Sequence, residues 1–469
     1  MRKLIGETAG GKWLPYLFLL LLFLLIPLGI VPNPLIFGII YLCVCVILSY
    51  RVRIAYYPLF LFLAAFMVRL LVIVLVQTPP ESDFDVLYQA SLGVLEGDRS
   101  FLDMNYFRLW PYQSGFVYYQ SLLLRIWNDV FFLKLVNCVT AAATVMLVYR
   151  IAREFCSERA ARLGAVLYCF LPYPLFYVTI LTNQFMASFL LYLGLYILIR
   201  KKSGLCSYVR YLIFGILLGI ANILRPESII PLTAVGLYLL LSLRKTNIRE
   251  NLLNMGIMFG TYLLLSKGAS FLFSATGLSP LGLSNSDPLW KFVLGFNHET
   301  GGKYAVADEP FLGNRAMELE LIRQRVLAPI PELLQLMKTK VEAFWGEFPL
   351  SWTFNYAMET GIPIFGKTLC IADDMGNMRL FTKCIMTAMY ACGGLGTILY
   401  MRKKDRALEI LPVFHQVLVT FGVYLLIEVQ SRYSYYVLPF VFILAALSFS
   451  RAEEMIIQRK MNREIRKEV

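Results

Sequence analysis

Histidine and charge are both scarce in this chain: there are two histidines in 469 residues, and 16% of the residues are charged. His298 and His415 alone cannot build a histidine-based metal centre. The nine cysteines are odd in number, and many sit in apolar runs, among them Cys43, Cys45, Cys138, Cys169 and Cys392. No C-x-x-C pair or metal-type spacing occurs, so neither a disulfide framework nor a zinc site is expected. The adjacent Asp373 and Asp374 point apart in most backbones and have no evident third ligand, so they do not read as a metal pair. No metal or other cofactor is expected. Long blocks of like charge are also missing. The net charge of +13 is dispersed in short clusters between apolar runs, which argues against nucleic-acid binding. A nucleotide-binding glycine-rich fold is not expected either, because most glycines fall within apolar helical stretches.

What the chain has in excess is apolar sequence. Hydrophobic residues make up 58% and the mean hydropathy is +0.63, the composition of an all-α polytopic membrane protein. Counting about 20 apolar residues per crossing gives roughly twelve spans. They run near Trp13 to Ile30, Pro34 to Tyr50, Tyr57 to Gln77, Phe131 to Tyr149, Leu163 to Leu181, Phe185 to Ile199, Tyr211 to Leu224, Ser228 to Leu243, Leu252 to Phe273, Leu380 to Tyr400, Glu409 to Ile427 and Tyr433 to Ser450. No A-x-A-like cleavage site follows the first segment, so it reads as a retained helix.

Alternate loops carry the basic clusters, for example Arg51 and Arg53, Arg150 to Arg162, Arg200 to Arg210 and Arg402 to Arg406. The positive-inside rule then places both termini in the cytoplasm of a cell-membrane protein. It puts two long segments, from Thr78 to about Val130 and from Ser274 to about Arg379, on the outer face. Residues 1–56 read as two extra N-terminal spans. Residues 57–273 read as the core module, with a catalytic first outer loop at 78–130; residues 274–379 form a large outer region, and 380–469 the last spans and a basic tail. Interfacial helices are expected in both outer segments, notably Val86 to Leu95, Tyr118 to Trp127, Asn314 to Leu327 and Glu332 to Trp345.

Candidate chemistry gathers at the outer level. Gln77 to Asp85 leaves an apolar helix through Pro79 and Pro80 and presents Glu81, Asp83 and Asp85 at the membrane surface. A carboxylate there can serve as a general base or can simply cap the next helix. Arg225 in N-I-L-R-P-E and Arg432 in E-V-Q-S-R-Y face the side that is poor in cations. A guanidinium fork matches two phosphate oxygens, and pairing with Glu227 and Glu428 is the alternative. Arg69, inside the third span, is expected to be a buried partner of such carboxylates. Asn297 and His298, in the loop G-F-N-H-E-T-G-G, can reach a sugar hydroxyl or a phosphate, or serve only the loop.

The motifs S-D-F-D-V-L-Y-Q-A, P-Y-Q-S-G-F-V-Y-Y, N-I-L-R-P-E, L-G-F-N-H-E-T-G-G-K-Y and E-V-Q-S-R-Y occur in this order, all on the outer side. In this the chain resembles the glycosyltransferase C superfamily, in the branch of protein O-mannosyltransferases and the aminoarabinose transferase of lipid A. The resemblance implies an enzyme that takes sugar from a polyprenyl-phosphate donor and transfers it, with inversion, to a hydroxyl of a glycan, lipid or protein acceptor. It implies an Asp base matched by Asp83, with Asp85 as the alternative. Arg225 and Arg432 would lie near the donor phosphate, and Tyr433, Glu227, Glu428, Asn297, His298 and Arg69 would join the substrate site. The chain departs from many relatives at Thr182, Asn183 and Gln184, where they carry an acidic residue. Competing readings are a transporter or flippase of lipid-linked sugars and a non-catalytic scaffold. A transporter should have broken helices and charges near the midplane, whereas the polar residues here concentrate on one side.

Overall fold

The computed structural model describes residues 41, 45–51, 56–200, 204–242, 247–357, 361–364, 367–370, 372, 375–402 and 408–468. The expected spans Trp13 to Ile30 and Pro34 to Tyr50 fall largely outside them, as do Asp373 and Asp374.

From Tyr57 onward each expected span overlaps helical residues, but Leu163 to Leu181 is divided between two helices. Helix α1 (Tyr57–Leu75) opens with Pro58 in its first turn, where no N–H is needed. Its residues Leu59, Leu63, Met67 and Leu71 face outward, each about half exposed. Such a stripe would be an aggregation hazard in water and is the expected face toward lipid tails. The opposite stripe, Tyr57, Leu61, Ala65, Arg69 and Ile73, is buried.

The first of the two long segments expected on the outer face contains α2 (Asp83–Glu96) and α3 (Ser114–Leu124), which pack on each other. Leu87, Ala90, Val94, Phe101, Phe107, Phe116 and Val117 give it a small core of its own. The segment is therefore a packed unit as well as a surface layer. Beyond it run α4 (Val130–Arg153), α5 (Glu158–Cys169) and the short α6 (Pro172–Phe176), then α7 (Gln184–Ile199), α8 (Ser207–Leu224), α9 (Ile229–Ser242) and α10 (Ile248–Ala275). The second outer segment holds α11 (Trp290–Gly295), α12 (Arg315–Val326) and α13 (Ile330–Val341). The chain closes with α14 (Met375–Met401), α15 (Leu411–Leu426) and α16 (Leu438–Glu468); α14 and α16 pack together over the central core.

Among the described residues five helices are long and apolar enough to cross a membrane, or six if α5 and the stretch from Pro172 to Thr179 count as one span bent by 59°. The protein is thus a multi-pass helical membrane protein. The apolar helices α7, α9 and α15, of 16, 14 and 16 residues, are shorter than a full crossing.

The expectation of an all-α chain needs one correction: β1 (Gly361–Ile364) and β2 (Lys367–Cys370) pair antiparallel, with Ile364 opposite Lys367. The residues from Gly361 to Thr368 spell G-x-x-x-x-G-K-T, the phosphate-loop pattern. That loop requires a strand followed by a helix; here its described residues, Gly361–Ile364 and Lys367–Thr368, lie on two paired strands.

Candidate active site

A cavity of about 240 Å³ opens where several helices end together. Its walls take Asp83 from the start of α2, Asn183 from the turn before α7, Arg225 and Glu227 from the turn between α8 and α9, and Glu428 and Arg432 from the segment after α15. Lys291 on α11 completes the charged lining. Helix ends deliver these groups because the apolar helix interiors exclude them.

Asp83 sits directly after Ser82, which has φ 54° and is the only non-glycine residue with positive φ among the described residues. Such a conformation costs on the order of 1–3 kcal/mol and concentrates at functional sites. Ser82 makes no side-chain cap bond, so helix capping does not explain it. Asp83 Oδ2 accepts a hydrogen bond from Arg432 Nη2 at 3.0 Å. Asp85 lies two residues on, about 200° around the helix. It accepts instead from Gln89 Nε2 at 3.0 Å and is not among the lining residues. The structure thus separates the two carboxylates.

The segment E-V-Q-S-R after α15 is extended at Gln430, so Glu428, Gln430 and Arg432 share one face. Arg432 Nε donates to Gln430 Oε1 at 2.6 Å, and Gln430 Nε2 donates to Glu428 Oε1 at 2.7 Å. Glu428 forms an ion pair with Lys291. Burial alone would discharge both groups, but their mutual attraction outweighs it, holding the Lys291 ammonium above and the Glu428 carboxyl below its ordinary range. Backbone bonds from Glu428 N–H to Lys291 O (2.8 Å) and from Val429 N–H to Gly302 O (2.9 Å) fix the segment against the second outer segment.

Arg225 pairs with Glu227 and donates from Nη1 to Asn183 Oδ1 at 2.9 Å. Tyr424 donates to Glu227 at 3.1 Å. The Tyr433 ring lies between the two guanidinium groups, 5.3 Å from Arg225 and 5.9 Å from Arg432. Burial first, and the Glu428 carboxylate after it, push its hydroxyl up to about 12, so it remains a donor at neutral pH.

The motif P-Y-Q-S-G-F also has a physical account. Tyr112 and Gln113 line the cavity. At Gly115, a Cβ would sit 2.0 Å from the Ile223 carbonyl oxygen, so only glycine lets α3 approach the end of α8 so closely.

Three expected site residues lie elsewhere. Asn297 is buried and donates to Asp308 Oδ2 at 2.8 Å, while His298 Nε2 contacts the Arg325 carbonyl at 3.0 Å. Asn297 ties its loop to Asp308, His298 ties it to the end of α12, and neither lines the cavity. Arg69 is buried as expected, but its partner is no carboxylate. It donates to the carbonyls of Ala65 (3.1 Å) and Cys169 (3.3 Å). Cys169 ends α5 at the bend, where a carbonyl at membrane depth needs a donor, and Arg69 supplies it.

Sequence reasoning missed Lys291, Gln430 and the role of Asn183. The alternation in E-V-Q-S-R was a readable signal for Gln430. Asn183 was noted only for the acid it replaces, yet it orients Arg225. Lys291 falls in a long outer segment, where the charge rule has no force. No group of three or more His, Cys, Asp or Glu side chains gathers as a metal site among the described residues.

The fold and cavity define a multi-pass helical membrane protein with a paired-charge site at one end of its helices. Residues 115–267 match the model of the dolichyl-phosphate-mannose-protein mannosyltransferase family. A comparison with curated proteins returned no match. Solved structures similar to the chain include the oligosaccharyltransferase AglB of Archaeoglobus fulgidus in complex with an inhibitory peptide and a dolichol-phosphate (14% identity, 87% of this chain and 52% of that one, TM-score 0.48). An Archaeoglobus fulgidus oligosaccharyltransferase in the apo form gives 16% identity over 88% and 52%, with TM-score 0.48. ArnT from Cupriavidus metallidurans bound to undecaprenyl phosphate gives 11% over 85% and 78%, with TM-score 0.39. The chain spans about half the length of the oligosaccharyltransferases it matches.

Proposed function

We propose that this protein is a membrane glycosyltransferase that takes sugar from a polyprenyl-phosphate donor on the outer face and passes it, with inversion, to an acceptor hydroxyl. The observation that carries this reading is the Asp83 carboxylate held on Arg432 in a cavity that also contains Arg225 and Lys291. The family match over residues 115–267 and the ordered outer-side motifs support the same reading.

In this mechanism the acceptor hydroxyl gives its proton to Asp83, and the acceptor oxygen forms a bond to the anomeric carbon. The bond from that carbon to the phosphate oxygen breaks, and its electron pair leaves on the phosphate. The phosphate is a good leaving group, so the protein supplies position, a base and positive charge around the developing anion. Arg432 and Arg225 each spend two nitrogens on neighbouring side chains and Lys291 pairs with Glu428, so all three cations keep further donor hydrogens. Both termini are assigned to the cytoplasm on the charge of the loops.

The test is sugar transfer from a panel of polyprenyl-phosphate sugars by the purified protein in liposomes. Donor-dependent turnover that is lost in Asp83→Asn supports the enzyme. Absence of turnover with every donor, together with carrier crossing the bilayer, would instead establish a flippase of lipid-linked sugars.

A further inference from the structure

The three cations lining the cavity are matched by the three carboxylates lining it, each cation with its own partner: Arg225 with Glu227, Lys291 with Glu428, Arg432 with Asp83. An arriving phosphate anion therefore meets no unpaired cation, and any cation it binds closely is one it competes for with a resident carboxylate. The three pairs are not equally able to yield. The Glu428 side chain is 2% exposed and is held by both Lys291 and Gln430. Glu227 is 21% exposed and is held by Arg225 and Tyr424. Asp83 is 43% exposed and has Arg432 as its one recorded side-chain partner. Arg432 is 14% exposed, but its carboxylate is the most open to water of the three, and water weakens an ion pair whereas a fully buried carboxylate is costly to strip of its partner.

Resting on the function proposed above, we infer that the donor phosphate displaces Asp83 from Arg432, so that donor binding itself frees the carboxylate that accepts the acceptor's proton. Arg432 is built for the exchange. Its Nε stays on Gln430 and its guanidinium carbon lies 5.2 Å from the Phe84 ring centre and 5.5 Å from that of Trp352, so the cation is held in place by contacts that do not involve Asp83. The Nη2 that now binds Asp83 turns to a phosphate oxygen, and Asp83, at the first residue of its helix, remains in the cavity. Before the donor arrives, Asp83 is occupied by Arg432. The reaction is then ordered, with donor before acceptor, and the base is released only when there is a sugar to transfer.

This exchange makes an unusual demand on the variant that removes the base. If Asp83 competes with phosphate for Arg432, Asp83→Asn must bind phosphate more tightly than wild type while failing to turn over. The measurement is the affinity of the purified protein in nanodiscs for undecaprenyl phosphate and dolichyl phosphate carrying no sugar, with inorganic phosphate as a competitor. The expected result is binding about five-fold tighter in Asp83→Asn, the scale of a partly exposed ion pair, and binding weakened in Arg432→Gln. If Asp83→Asn does not purify, Asp83→Ser removes the same charge. Wild-type binding with unchanged or weaker affinity in the Asp83 variants would overturn the exchange and leave the proposed function standing. Wild-type protein that binds neither lipid phosphate would overturn both. Inorganic phosphate that competes at the same concentration as the lipid would show that the exchange is not made with a lipid-linked donor.

Discussion

Asp83 and Arg432 lie 349 residues apart in sequence and 3.0 Å apart in space, and their contact joins the first outer segment to the turn before the last helix. If Asp83 is the base, Asp83→Asn should lower the transfer rate about 100-fold or more, the usual worth of a positioned general base. Asp85→Asn should stay near the wild-type rate, since Asp85 is turned away and bonded to Gln89. Initial rates of the two variants decide the matter: a loss confined to Asp85→Asn would reverse the assignment.

The Lys291 and Glu428 pair predicts a stability effect. The Glu428 side chain is 2% exposed, so Glu428→Gln would leave the ammonium of Lys291 poorly compensated. The expected cost is about 3 kcal/mol, with the double variant Lys291→Met/Glu428→Met recovering a good part of it. The midpoint of thermal unfolding in detergent reads this; equal loss in the single and double variants would mean that the pair does not account for the loss.

Much of the scaffold was legible because lipid imposes a simple rule. The apolar helices from Tyr57 onward follow from apolar runs alone, though only five or six of them are long enough to cross, and Asp83, Arg225 and Arg432 stand out because charge beside such runs is rare. The less legible residues are those whose role depends on the fold around them. Arg69 reads as a charge seeking a carboxylate, yet the bend after Cys169 gives it carbonyls instead. On α12 Glu318 is buried whereas its apolar neighbour Leu319 is exposed, a reversal that hydropathy does not foretell. Asn297 and His298 have the right chemistry but bond to Asp308 and to the Arg325 carbonyl on α12 instead.

Gly295 tests whether the second outer segment positions the site. A Cβ there would lie 2.4 Å from the Leu426 carbonyl oxygen and 2.6 Å from the Ile427 carbonyl carbon, just before Glu428. Gly295→Ala must push the chain ahead of Glu428 outward, with a cost of about 1–3 kcal/mol and loss of transfer. Gly346→Ala meets nothing within 4 Å and is the control for the substitution itself. Normal stability and activity in Gly295→Ala would show that the segment can move without harm to the site.

The buried Glu318 gives a prediction with a definite sign. Its Oε1 and Asp287 Oδ2 both accept from the Gly313 N–H, at 2.9 and 3.0 Å. Burial, and then the hydrogen bond to Asp287, push the Glu318 carboxyl up to about 7. Because its folded value lies above the unfolded value of about 4.3, its contribution to stability is complete below about pH 4 and is lost as pH rises through 7. The nearby Arg325 does not offset this, being bonded twice to Asp308. Asp287 also caps the start of α11 through Trp290 N–H, so loosening of the carboxyl pair reaches the helix that carries Lys291. Hydrogen exchange, corrected for its intrinsic pH dependence, should show less protection over residues 287–295 and 313–326 at pH 8.5 than at pH 6. Glu318→Gln keeps the uncharged shape and should remove most of that difference. The same pH dependence in the variant would assign the loosening to another group.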